Sequence, residues 1–423
     1  MKSGLNFLIA SRRCEIEELD QLSHTSELVG AIGRLVHALQ KERGISNVLL
    51  ASGGARFKAE RESQIAECLS AEREVRASFD LLETAVRRAG NGARLFSRVA
   101  WVLPGLDALP DLRRRIGDLA LTPTQATAAF CKLLAGLLAV VFEAADGATD
   151  PEISRLLVAM FNFMQGKELA GQERAFGSAA FVSGAIDTER RQEWLHLIEA
   201  QERCLQVFRE FSDKEVVKLW HKSQPCAAVN ERERLRRIGC TGPSSKTGDA
   251  ALGELWFDSC SQCIDAMRIV EDRLAIDLRA RCADKMAQAE RELTGFRTVV
   301  QALDQQGPQA ADAQAFAFFD DTSVNNAPSA YGPQLQRSVF DMMQEQSLRL
   351  QVMSNELETA RAALGERKLV ERAKGLLMAH RGLSEDEAHK MLRQTAMNQN
   401  RRLVEVAESV LTMAQFLPDR PAG

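Results

Sequence analysis

The sequence predicts an all-α protein, and three observations carry that expectation. Apolar residues recur three and four positions apart throughout, with no sustained alternation of β-branched and polar residues to mark a strand. Helix breakers are sparse, with 11 Pro and 27 Gly in 423 residues. Helix starts also carry capping chemistry: Thr122-Pro123-Thr124-Gln125 places a Thr N-cap, a first-turn Pro and a Gln at the third position, and Asp150-Pro151-Glu152 repeats the signal.

At this length the chain can form roughly two or three domains of about 100–200 residues each. A formal charge of −4 excludes a polybasic protein overall, so any nucleic-acid surface must be local. No run approaches the roughly 18 consecutive apolar residues of a membrane-spanning helix. Leu5–Ala10 is too short for a signal core and is followed by Arg12 and Arg13, so a cytoplasmic protein without membrane contact is expected. Nine cysteines, an odd number without a paired framework, point to reduced thiols. Breaks are expected at Gly90–Gly92, Pro104–Pro110, Gly239–Gly253 and Leu303–Pro333.

The first helix places Ile32, Leu35, Val36 and Leu39 on one stripe, and continuing that stripe reaches Arg43, Ser46 and Leu50. A guanidinium therefore sits on an apolar face. The segment Met160–Phe181 repeats the arrangement, with Met160, Met164, Lys167, Gly171, Arg174, Ser178 and Phe181 on one stripe. Glu42-Arg43 precedes Ser52-Gly53, and Glu173-Arg174 precedes Ser183-Gly184, at the same nine-residue offset from Arg to Ser, as expected of an internal duplication. A buried charge needs a partner. Either each arginine forms a structural pair with Glu42, Glu168 or Glu173, or it receives a small oxyanion, whose geometry matches the guanidinium fork.

Farther along, Val339, Met343, Leu350, Met353, Leu357, Ala360 and Leu364 follow a 4-3 heptad, with Gln346 at one core position. This reads as a coiled-coil signalling helix or as an amphipathic helix packed on its own domain. Three short helices follow, with stripes at Val370, Ala373, Leu377 and His380, then Ala388, Met391, Leu392, Thr395 and Ala396, then Leu403, Val406, Ala407 and Val410. Gly382 separates the first two, and Ser384 with Glu387 forms a capping box. Arg361–Gly423 carries eleven Lys or Arg against eight Asp or Glu, a mild excess that by itself is usually a solvated face.

Two resemblances sharpen this outline. Gln40-Lys41-Glu42-Arg43-Gly44-Ile45-Ser46, the run Gly166–Ala175, Trp256-Phe257, Ile264-Asp265 and Val270-Glu271-Asp272 resemble the NIT family of nitrate- and nitrite-sensing helical domains, over about residues 30–280. The resemblance implies two packed bundles holding the anion between an arginine of the first Glu-Arg-Gly motif and one on a later helix. Arg43 matches the first. The cationic run Glu231–Ile238 nominates Arg236 for the second, with Arg237 and Arg174 as competitors.

Ala373-Lys374-Gly375, Leu377-Met378, Gly382, Ser384 with Glu387-Ala388, Leu392-Arg393, Ala396-Met397, Arg402 and Val406-Ala407 resemble the ANTAR family of RNA-binding antiterminator modules, over about residues 355–415. That resemblance implies a small three-helix domain that reads RNA hairpin loops, with Lys374, Arg393, Arg401 and Arg402 as contacts.

The implied organisation is an N-terminal extension of the first helix at 1–29 and a NIT domain at 30–280. A helix end and flexible linker at 281–338 lead to the signalling helix at 339–364, the ANTAR domain at 355–415 and a tail at 416–423. Together the resemblances imply a nitrate- or nitrite-responsive antitermination protein that binds leader-mRNA hairpins when the anion is bound, switches on nitrate assimilation genes and can form a homodimer. The alternative is a helical DNA-binding regulator responding to a small anion, with Met391–Asn400 as its reading helix.

No cofactor or metal is expected. Cys260-Ser-Gln-Cys263 lacks a second ligand pair, and Ser245-Lys246-Thr247 lacks the glycines and strand of a phosphate loop. No nucleophile and base stand at a telling spacing, so an enzyme is not expected.

Overall fold

A computed structural model describes residues 4–85, 93–184, 187–241, 249–304, 333–383, 385–399 and 401–414. The described residues form helices without strands. They divide into two compact units, Met1–Ser354 and Asn355–Gly423.

In the larger unit, α1 (Gly4–Ala51) packs against α2 (Lys58–Ala85) and α5 (Pro123–Gly147), with α3 (Ala93–Asp107) and α4 (Leu109–Gly117) beside α5. A second group is built on α6 (Pro151–Ser183), which packs against α7 (Thr188–Phe211) and α10 (Ala250–Asp304). The shorter α8 (Lys214–Ser223) and α9 (Cys226–Thr241) pack on α10. The two groups meet where α1 packs on α10 and where α5 and α1 meet α6. Helix α6 is buried on nearly every side, which explains why its polar residues must find internal partners.

Both expected caps form. Thr122 Oγ1 accepts from the Gln125 N–H while Gln125 Oε1 accepts from the Thr122 N–H, and Asp150 accepts from the N–H groups of Glu152 and Ile153. The duplicated Ser-Gly ends share a function as well. Gly53 at φ 60° and Gly184 at φ 67° adopt the left-handed conformation that ends α1 and α6. Helix α5 is long and apolar enough to cross a membrane, but its most apolar stretch is 67% buried within the protein.

Two further expected breaks fall within their ranges, between Asp107 and Leu109 and between the end of α9 at Thr241 and the start of α10 at Ala250, but the breaker residues themselves lie inside helices. Helix α3 runs through Pro104 to Asp107, and α4 begins at Leu109 with Pro110 in its first turn. The carbonyl that Pro104 leaves unpaired belongs to exposed Ala100, where water can satisfy it. Gly239 and Gly253 lie inside α9 and α10 rather than between helices. A Cβ on Gly239 would stand 2.2 Å from Trp194, so the missing side chain serves packing. Gly90–Gly92 and residues 305–332 lie outside the described residues.

Helix α11 (Pro333–Arg381) continues across the boundary between the units at Ser354 and Asn355. Of its heptad positions, Ala360 and Leu364 are buried, Met353 and Leu357 half-buried and Leu350 exposed; the side chains of Val339, Met343 and Gln346 lie outside the described residues. In the smaller unit α11 is followed by α12 (Glu385–Gln399) and α13 (Leu403–Ala414). Their core comprises Ala373, Leu377, Ala388, Leu392, Ala396, Val406 and Ala407, the anticipated stripes. Left-handed Gly382 ends α11, whereas Ser384 of the expected capping box lies outside the described residues.

Candidate functional site

Arg43 and Arg174 meet where α1 crosses α6. Each guanidinium lies over a glycine of the opposing helix. A Cβ on Gly171 would stand 2.5 Å from Arg43 Nη2, and one on Gly44 would stand 2.8 Å from Arg174 Nη2. The two arginines differ sharply in their partners.

Arg43, 1% exposed, donates to both oxygens of Glu168 at 2.6 and 3.2 Å, and to Cys131 Sγ at 3.0 Å. Gln40 and Gln172 each donate to Glu168 at 2.9 Å. Burial opposes the charge of Arg43, yet the Glu168 carboxylate outweighs it and holds the guanidinium above its ordinary pKa.

Arg174, 8% exposed, pairs with no carboxylate among the described residues. It donates to Ser261 Oγ at 2.8 Å and lies 4.8 Å over the Phe257 ring. Ser261 donates onward to the Phe257 carbonyl one turn earlier on α10. Burial, and next the charge of Arg43, push Arg174 down to about 10. This cation is held by a hydroxyl, a ring face and a helix, none of which neutralises it.

Beside it, Lys167 Nζ donates to Glu271 at 2.6 Å and to His37 Nδ1 at 2.9 Å. Burial, reinforced first by Lys167 and also by Arg268, Lys41 and Arg174, pushes His37 down to about 2, so the ring is neutral. The buried cations Arg43, Arg174 and Lys167 thus face the buried carboxylates Glu168 and Glu271, leaving an excess of one positive charge. That balance suits one monovalent anion.

Arg236 is buried but sits in a different network. Its Nε donates to Glu173 at 2.8 Å and its Nη2 donates to both Glu173 and Gln201, while Trp194 Nε1 donates to Glu173 at 3.0 Å. Burial again opposes the charge, and Glu173 raises it above the ordinary value. The structure therefore places Arg43 with Arg174, and Arg236 with Glu173. Arg237 is exposed on α9.

In the smaller unit Arg401 and Arg402 are exposed and Arg393 is half-buried. Lys374 departs from the expected exposed position. It follows core residue Ala373, is 8% exposed and pairs with Glu371 one turn earlier at 2.8 Å.

Ser261, Phe257 and His37 were not anticipated as neighbours of these arginines. Phe257 and Ser261 stand one turn apart on α10, but nothing in their spacing announces a guanidinium on another helix. His37 supplies a testable pH dependence. The unfolded chain takes up a proton near pH 6.5 that folded His37 refuses until about pH 2, so stability is full above pH 6.5 and falls as pH drops. Between pH 6.5 and 5 the slope from this group should approach about 1.4 kcal/mol per pH unit, and His37→Gln should remove it from urea-unfolding midpoints.

Both units are similar to known proteins. The NIT family, described as nitrate and nitrite sensing, matches residues 34–279, and the ANTAR domain matches residues 358–411. The chain is 34% identical over 413 residues to the nitrate regulatory protein of Klebsiella oxytoca, covering 97% of this chain and 95% of that protein. It is also similar to the solved structure of the NasR transcription antiterminator, with a TM-score of 0.59 and 32% identity over 97% of this chain and 99% of that one. With its larger unit matched across both arginine-bearing helices and its smaller unit matched by an RNA-binding module, the chain belongs to the nitrate- and nitrite-sensing NIT family and carries an ANTAR domain at its C-terminal end.

Proposed function

We propose that this chain is a nitrate- or nitrite-responsive transcription antitermination protein, in which the anion binds between Arg43 and Arg174 and the ANTAR domain reads leader-mRNA hairpins. The observation that carries this reading is the buried, carboxylate-free guanidinium of Arg174 beside that of Arg43. A planar monovalent oxyanion can accept from both forks and neutralise the one excess charge. It also gives Arg43 an alternative to Glu168, so its arrival changes how α1 and α6 are held together. The ligand can shift the conformational balance only by binding one packing better than the other.

The organisation that fits is a sensor over about residues 30–280, a signalling segment on α11 and an RNA-reading domain over about 355–415, in a cytoplasmic regulator without catalytic chemistry. Exposed Arg401 and Arg402, with half-buried Arg393, are the proposed RNA contacts, and Lys374 can join them by extending from its pair with Glu371. Exposed Leu350 on the heptad supports pairing of α11 with a second copy.

The test measures hairpin binding at fixed ionic strength, because phosphate contacts make affinity salt-dependent. A fragment of residues 338–423 should bind tandem RNA hairpins without nitrate, and the full chain should bind them well only with nitrate. Duplex DNA of equal length is the competitor. Preference for the duplex would replace the RNA reading with a DNA-binding one, and a full chain indifferent to nitrate would refute the sensor reading.

A further inference from the structure

Far from the anion site, a second cluster of charges ties three long helices together. Arg12 on α1 donates to Glu15 on the same helix at 2.5 Å and pairs with Glu292 on α10 at 2.7 Å, with its guanidinium 5.6 Å over Phe296. Arg349 on α11 donates to the same two carboxylates, through Nη1 to Glu292 and through Nη2 to Glu15, each at 3.0 Å. Two cations and two carboxylates therefore alternate, and every carboxylate serves both arginines.

We propose that Arg349, bridging Glu15 of α1 and Glu292 of α10, is the clasp that holds the signalling helix to the sensor and releases it when the anion site changes the register of those two helices. The proposal rests on the function proposed above. The same two helices build both ends: α1 carries Arg43 and Glu15, while α10 carries the Phe257 and Ser261 that hold Arg174, the Glu271 that holds Lys167, and Glu292. From Ser261 to Glu292 is about thirty residues of unbroken helix, roughly 45 Å at 1.5 Å per residue. A packed helix transmits displacement along its axis because its core cannot be compressed.

Arg349 is suited to read such a displacement. One planar fork must reach carboxylates on two helices at once, so a slide of 1–2 Å between them, a common size for helix shifts in switching proteins, breaks one bond. Its removal is also selective. Arg12 still satisfies both Glu15 and Glu292, so α1 and α10 stay joined while α11 loses its tie. Arg349 is therefore a positioning residue for the output and contacts no ligand.

The experiment uses the full chain and no RNA, with sodium nitrate as the probe. Amide exchange over residues 348–354 and nitrate-induced thermal stabilisation are measured for the parent, Arg349→Ala and Arg349→Lys. In the parent, nitrate should speed exchange over 348–354 about tenfold or more. Arg349→Ala should show the fast rate with or without nitrate and keep the full thermal shift. Arg349→Lys, able to reach one carboxylate at a time, should fall between them. Exchange in the parent that ignores nitrate while the thermal shift is present would overturn the clasp and leave the sensor reading standing. Nitrate-dependent exchange in Arg349→Ala equal to that of the parent would overturn it too. Absence of any thermal shift in the parent would refute the sensor reading, and the clasp with it.

Discussion

Arg174→Met should unfold at higher denaturant than the parent in nitrate-free buffer, and should gain nothing when nitrate is added. A guanidinium pushed from 12.5 to about 10 by burial and by Arg43 costs the folded state on the order of 3 kcal/mol at neutral pH. Met removes that cost while keeping a long apolar stem, and loses only the bond to Ser261 and the contact with Phe257, each about 1 kcal/mol. In the parent, nitrate at about 100 times its dissociation constant should add roughly 2.7 kcal/mol, the increment the variant lacks. Arg236→Ala should do the opposite. It strands Glu173, so it should destabilise the sensor irrespective of nitrate. A destabilised Arg174→Met that still responds to nitrate would move the second half of the site elsewhere.

Removing the carboxylate on the other side should have the reverse sign. Glu168→Gln leaves Arg43 buried with Cys131 and neutral amides, and breaking a buried pair in this way typically costs about 3–5 kcal/mol. The variant should therefore unfold at markedly lower denaturant without added anion. It should also recover more stability from nitrate than the parent does, because the internal competitor for Arg43 has gone. Paired urea titrations with and without nitrate, at constant ionic strength, read both quantities. Equal nitrate increments in variant and parent would mean that the anion never displaces Glu168.

Much of the fold was legible because its signals are local. The caps at Thr122 and Asp150, the apolar stripes and the left-handed glycines ten residues beyond Arg43 and Arg174 depend on neighbours a few positions away. The exact placement of the helix breakers has the opposite property. Pro104 is tolerated because Ala100 faces water, and Gly239 sits in a helix because Trp194 fills its gap, neither of which sequence spacing records. The same limit applied to the arginines. That a charge lay on each buried stripe was readable, but which charge kept a carboxylate depended on Glu168 reaching α1 from α6 and Glu173 reaching α9, pairings 125 and 63 residues apart in the chain.

The reciprocal glycines separate losing the signal from losing the fold. At Gly171 and Gly44 the nearest atom to an added methyl is the tip of a long side chain, Arg43 Nη2 or Arg174 Nη2, and the Phe257 ring stands only at ordinary contact distance, 3.8 Å, from the methyl at Gly44. At Gly44 that tip can swing aside, because Arg174 holds no carboxylate among the described residues and α1 and α6 still pack with alanine there, whereas at Gly171 moving Arg43 breaks its buried pair with Glu168. On the proposed anion site, a lineage that no longer needs to hear the anion therefore has an inexpensive mutational exit at Gly44: one methyl group deafens the receptor, leaves a well-folded protein behind, and exposes the RNA-reading half to selection on its own.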